Sequence, residues 1–254
     1  MRAAPVAQGS AGAGGKKGKK KVSLSSLERP GDGERCWPER LIVLDFNGLL
    51  LSRSKKRIEG RSDTFKDTTG QFVYDRPYCR QLLRWLRQRG FAVAFWTSAT
   101  QPVAELLAKH LCDDKLFTAR DITFLWSQEH CIRVRNNAST APAFAKLLRR
   151  VWVDPELEKR FSPSNTVIVD DSAHKVQSSP DNAILCGSYD LSLGLGGAGP
   201  DKELGQGGAL WAYLDALSRH DGDVRDFIRA QRYVAPCAAD SLREALAGLP
   251  RGAE

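Results

Sequence analysis

Five residues of this 254-residue chain have the types and the order that phosphoryl transfer needs. Asp45 closes the apolar run Leu41-Ile42-Val43-Leu44, Thr97 closes the run 91–96, and the pair Asp170-Asp171 closes the run 166–169; Lys146 lies between the last two. A rigidly held carboxylate can attack phosphorus and become an aspartyl-phosphate. A divalent cation takes hard oxygen ligands and often only one or two carboxylates. Asp45 and Asp171 can supply them, with Asp170 alongside. The Thr97 hydroxyl and nearby backbone N–H groups can hold the transferring oxygens, and Lys146 can offset their charge. Lys175, just after Asp171-Ser172-Ala173-His174, is an alternative cation. Each residue also has a purely structural use. Asp45 could cap the turn that Asn47-Gly48 favours, Thr97 could be a helix N-cap, Asp170-Asp171 a cap and turn pair, and Lys146 an exposed helix lysine.

Strands must position these groups. The three runs are apolar on both faces, as in the interior of a parallel sheet. Ligands of open α/β sheets sit beyond the carboxyl ends of the strands, where all three polar endings fall. Between the strands the sequence predicts helices. Arg76-Pro77 opens one whose buried side carries Leu82, Leu83 and Leu86 with Trp85, and Gly90 stops it. A second runs from the end of the 91–96 strand to about Leu111, and a third spans 140–152 and carries Lys146. Residues 122–126 and 182–186 read as further strands, and 208–217 and 223–231 as helices. Residues 52–75 read as strand-turn-strand, a small β insert above the end of the first strand. The alternation predicts a three-layer α/β sandwich with a mainly parallel sheet. Residues 194–199 fit G-x-G-x-x-G by letter only, since no long apolar strand feeds them and Pro200 follows; a surface loop is expected.

Charge and cysteine usage narrow the class. The net charge is +8, but residues 1–40 hold nine Lys or Arg against four acids, so the rest of the chain carries only +3. Nucleic-acid binding does not follow from the basic balance. Residues 1–38 are rich in Gly, Ala, Ser and Lys and read as a disordered basic tail, with residues 234–254 as a C-terminal tail. No apolar run approaches the ~18 to 20 residues of a membrane span. The six cysteines lack metal or disulfide-framework spacing, so reduced thiols in an intracellular setting are expected. The lysines at 16–21 suit a nuclear or cytoplasmic protein; their clustering and the scarcity of arginine argue against a mitochondrial presequence.

Over residues 39–233 the chain resembles the haloacid-dehalogenase-like hydrolases, and within them the domain shared by the carboxy-terminal-domain phosphatases of RNA polymerase II. Asp45-Phe46-Asn47-Gly48 is similar to the family's D-x-D-x-T motif. Arg76-Pro77 with Trp96-Thr97-Ser98-Ala99 is similar to its R-P-G and W-T-[SA]-[SA] run, Lys146-Leu147-Leu148 to its K-D-L, and Asp170-Asp171-Ser172 to its D-[DN]-S. The resemblance implies a Rossmann-like core and a Mg²⁺-dependent hydrolase of phosphoserine and phosphothreonine esters. In it Asp45 is the nucleophile, Thr97, Ser98 and Lys146 bind phosphate, and Asp45, Asp170, Asp171 and the Asn47 main-chain carbonyl bind metal. One departure bears on chemistry. Asn47 stands where the family has an aspartate that protonates the leaving group and later activates water, and a carboxamide can do neither. That loss costs about 10² to 10⁴ in rate. His130, Asp63 and Asp67 are candidate substitutes. Two expectations follow: a slow phosphatase, or an inactive phosphatase-like module that binds phosphopeptides or partners, for which the mitochondrial inner-membrane import receptor is a precedent.

Overall fold

The computed structural model describes residues 39–61, 64–112, 115–134, 143–189, 191 and 201–235. The two tails beyond 39 and 235, Asp63 and the glycine-rich stretch 194–199 lie outside the described residues. Strand β1 (Leu41–Leu44) is followed by an antiparallel sheet of β2 (Leu51–Ser54), β3 (Thr64–Lys66) and β4 (Phe72–Asp75) in the order β2-β4-β3. Then come α1 (Cys79–Gln88), β5 (Ala92–Trp96), α2 (Gln101–Leu111) and β6 (Ile122–Trp126). The antiparallel pair β7 (Ile132–Val134) and β8 (Ala143–Ala145) leads to α3 (Arg149–Trp152), β9 (Thr166–Asp170), α4 (Ala173–Val176), β10 (Ala183–Leu185), α5 (Ala209–Arg219) and α6 (Val224–Ala230).

The central sheet has the order β10-β9-β1-β5-β6 and every adjacent pair is parallel. Alternation along β1 sorts its side chains into two cores. Ile42 and Leu44 face the layer built by α1, α2, α5 and α6, through residues such as Leu83, Leu107, Leu214 and Ile228. Leu41 and Val43 face the other layer, with Leu148, Val151, Phe161 and Val176. All four β1 side chains are fully buried. Each contributes about 1.5 to 3 kcal/mol of hydrophobic stabilisation. This is the expected three-layer, Rossmann-like sandwich. Trp211 packs its ring against Trp85, with the ring centroids 4.7 Å apart. No helix among the described residues is long and apolar enough to cross a membrane.

Two local expectations are corrected. Of the segment predicted as a helix over 140–152, the described residues begin at 143, and among them Ala143–Ala145 is a strand and only Arg149–Trp152 is helical. Its pairing with Ile132–Val134 overrides the weak helical preference of an alanine-rich run. Lys146 therefore follows a strand, and its N–H donates to the Lys175 carbonyl at 2.6 Å. The insert has three strands rather than two.

The turn of the insert is organised by Asp67. Its carboxylate accepts from Thr69 N (2.8 Å), Thr69 Oγ1 (2.7 Å), Gln71 N (3.1 Å) and Arg53 Nε (2.6 Å). Burial alone would raise its pKa, but the bonds from Thr69, Arg53 and Gln71 outweigh burial and hold it below the usual carboxylate range. A depressed carboxylate stabilises the fold above its unfolded pKa of about 4, and that contribution is lost as the pH falls through the folded value. Asp67→Asn is therefore expected to cost about 2 kcal/mol at pH 7. In thermal melts the gap to the parent protein should close as the pH is lowered through the acid range. A gap that stays constant with pH would refute the assignment.

Candidate active site

The register of the sheet brings the acids together. Leu44 lies between Phe95 on β5 and Val169 on β9, so the next residue on each strand places Asp45 between Trp96 and Asp170. Thr97 follows Trp96. Asp45 is 1% exposed, and its N–H donates to the Val169 carbonyl at 3.2 Å. Its Oδ1 accepts from Phe46 N at 2.8 Å. Its Oδ2 meets two ammonium groups, Lys175 Nζ at 2.7 Å and Lys146 Nζ at 3.2 Å. Asp170 bonds Lys146 Nζ through Oδ2 at 2.6 Å and accepts from Ser172 N through Oδ1 at 2.9 Å.

The electrostatics separate the two buried carboxylates. For Asp45, burial opposes ionisation, but Lys146 and Lys175, with the hydrogen bonds from Lys175 and Phe46, outweigh it and hold the pKa below the usual range. For Asp170, burial and then the negative charge of Asp45 push the pKa up to about 6 against the pull of both lysines. Asp45 is thus the group held ionised, as a nucleophile must be. Lys175 is held protonated: burial works against its charge, and Asp45, Asp170 and Asp171 more than offset that.

The remaining sequence candidates fall as follows. Lys146 is completely buried between Asp45 and Asp170, which removes the exposed-helix reading. Thr97 is buried, its N–H bonded to Trp126 O at 2.9 Å and its Oγ1 accepting from Ala99 N at 3.2 Å. The N-cap of α2 is Thr100, so Thr97 is not spent there. Ser98 is half-buried beside it. Asn47 is exposed, and its Oδ1 accepts from Arg53 N at 3.0 Å, which ties it to β2. Of the substitutes for the missing acid, Asp67 is consumed by its turn, and His130 stacks on Trp126 at 5.1 Å. Asp63 is outside the described residues.

Two contributors were not found from the sequence. Gly48 has φ +87°, and a Cβ built on it would lie 1.9 Å from Asp171 Oδ2. The glycine is needed both for its left-handed backbone and to let that carboxylate approach. Gly48→Ala is expected to cost at least about 1 to 2 kcal/mol from the backbone alone. It should also displace Asp171, so both Tm and divalent-cation affinity fall; a variant with both intact would rule out this packing. Arg76, singled out only as a helix opener and motif letter, is a buried anchor. It donates to the carbonyls of Gly187 (2.9 Å), Leu49 (3.3 Å) and Gly48 (3.4 Å) and pairs with Asp201 at 2.9 Å. The turn at Gly48 was legible, but the approach of Asp171 to it and the Arg76 contacts with Gly187 and Asp201 have no local sequence signal, because they join segments more than a hundred positions apart.

Asp45, Asp170 and Asp171 each offer a carboxylate oxygen, and these oxygens lie within 4.8 Å of one another. Hard, anionic oxygens at this spacing fit a small divalent cation such as Mg²⁺.

The central-strand acid, the flanking carboxylate pair and the parallel sheet are those of a haloacid-dehalogenase-like hydrolase domain. Within that class the chain belongs to the NLI interacting factor-like phosphatases, whose family model matches residues 40–225. Solved structures similar to it include the fission yeast RNA polymerase II CTD phosphatase Fcp1 bound to beryllium fluoride, at 17% identity and a TM-score of 0.43 over 83% of this chain and 65% of that one. A second structure of Fcp1 gives 17% identity and a TM-score of 0.42 over 85% of this chain and 55% of that one. This chain therefore spans less than two thirds of either. A phosphoserine phosphatase in a phospho-aspartyl intermediate analogue matches at 13% identity and a TM-score of 0.36, over 59% of this chain and 86% of that one. No curated protein matches the sequence.

Proposed function

We propose that the chain is a slow, Mg²⁺-dependent phosphatase that hydrolyses phosphoserine, phosphothreonine or related phosphate monoesters through an aspartyl-phosphate on Asp45. The observation that carries this reading is a buried Asp45 bracketed by Lys146 and Lys175 at the carboxyl end of the central strand. The Asp45 carboxylate attacks phosphorus, the bond from phosphorus to the ester oxygen breaks, and the leaving oxygen takes a proton from solvent water. Water then attacks the phosphorus of the acyl phosphate, releasing phosphate and restoring Asp45. Thr97, Ser98 and Lys146 hold the phosphate oxygens, and Lys146 keeps Asp45 ionised. Asp45, Asp170, Asp171 and the Asn47 main-chain carbonyl would hold Mg²⁺, which when bound offsets phosphate charge. The Asn47 side chain supplies no proton, so esters with poor leaving groups turn over slowly.

The reading is tested with an aryl phosphate, whose leaving group needs little protonation. Hydrolysis stimulated by Mg²⁺, with a phosphoryl mass trapped on the peptide containing Asp45 after acid quenching, is expected. Neither signal above the buffer control would leave the chain as a phosphatase-like binding module. A nuclear or cytoplasmic setting fits the lysine-rich stretch 16–21 and the free thiols of Cys79, Cys112, Cys131 and Cys186.

A further inference from the structure

We propose that Lys175 is a tethered competitor for the divalent-cation seat, and that the ion binds only after the Lys175 ammonium has swung out. The proposal rests on the reading of the acid cluster as a cation site. Lys175 Nζ lies 2.7 Å from Asp45 Oδ2, 3.5 Å from Asp170 Oδ1 and 3.5 Å from Asp171 Oδ1. It thus touches every carboxylate of the candidate metal cluster. An ammonium carries three donors, so one group can serve all three acids.

The two lysines differ in a way that assigns them different tasks. Lys146 pairs with Asp45 and Asp170, and its side chain has no exposure. Lys175 stands on the short helix α4, next to exposed His174, and its side chain is 13% exposed. A four-carbon stem at the rim can carry its charge into water, whereas the buried Lys146 cannot.

Charge balance points the same way. Three carboxylates with two ammoniums are nearly neutral without any ion. A dication added while Lys175 stays would press two cations against the same oxygens in a poorly solvated place. With Lys175 withdrawn, Lys146 and the dication balance the three acids. The carboxylates that Lys175 engages are the ones that would hold the ion. The resting protein is therefore self-capped, and its apparent cation affinity is lowered by the closed fraction.

Two measurements test this. In the wild-type protein, amine-reactive labelling read by mass spectrometry should show Lys175 protected in chelator and labelled about tenfold more in saturating Mg²⁺, with Lys146 protected throughout. By calorimetry, Lys175→Met should bind Mn²⁺ about tenfold or more tighter than the wild type. Lys175 labelling that does not respond to Mg²⁺ overturns the proposal, and so does a folded Lys175→Met protein whose Mn²⁺ affinity is unchanged or weaker. Absence of cation binding in both proteins overturns it together with the Mg²⁺ part of the functional reading. If Lys175→Met does not fold, the wild-type labelling decides. Tighter Mn²⁺ binding without any aryl phosphate hydrolysis would uphold the lysine's role and remove the phosphatase reading.

Discussion

Asn47→Asp is expected to raise turnover of an alkyl phosphate by about 10² to 10⁴-fold, the usual worth of positioned general acid–base help. The substitution is nearly isosteric. One carboxylate oxygen can keep the bond from Arg53 N that the carboxamide now accepts at 3.0 Å, while the other is left to hold a proton. The exposure of position 47 means that the new acid adds no buried charge. An aryl phosphate should gain far less, because its leaving group departs without a proton. The check is the ratio of kcat/KM for the two esters in both proteins. Equal gains, or none, would show that Asn47 is not the missing acid.

Asp45→Asn is expected to lower aryl phosphate turnover by about 10⁴-fold or more, since it removes the attacking oxygen and not merely a helper. Breaking a buried ion pair from one side costs about 3 to 5 kcal/mol, so kcat must be read at a temperature where melting shows the variant folded. Asp170 and Asp171 remain as partners for Lys146 and Lys175, which limits that cost. A folded variant that retains wild-type turnover would exclude Asp45 as the phosphoryl acceptor.

Much of the scaffold was legible because apolar runs in parallel sheets are unambiguous. Leu41 to Leu44, the run to Trp96 and the run to Val169 announce buried strands, and the polar residue after each announces an edge. The insert's strands and the segment before Lys146 were less legible. Short strands such as Ala143–Ala145 are set by a partner strand and not by their own composition. Within the site, side-chain type was legible and side-chain engagement was not. Nothing in the letters at 47 says that the carboxamide is tied to Arg53, nor that Lys175 reaches three acids. The missed contributions of Gly48 and Arg76 are of the same kind. A glycine's need for space and an arginine's choice of carbonyls exist only once distant segments have met.

The central place of β1 has a consequence for how the chain is made. Its partner on one side, β5, follows soon, but β9 on the other comes much later, and Lys175 arrives 130 residues after Asp45. Such distant parallel pairings close slowly. During synthesis a wholly apolar strand waits with one backbone edge open, which is the exposure that invites wrong pairing and chaperone capture. Asp45 waits with it, lacking Lys146, Asp170 and Lys175. Its burial and its two ammonium partners are acquired only when β9 docks and Lys175 follows it, so the assembled site belongs to the completed sheet.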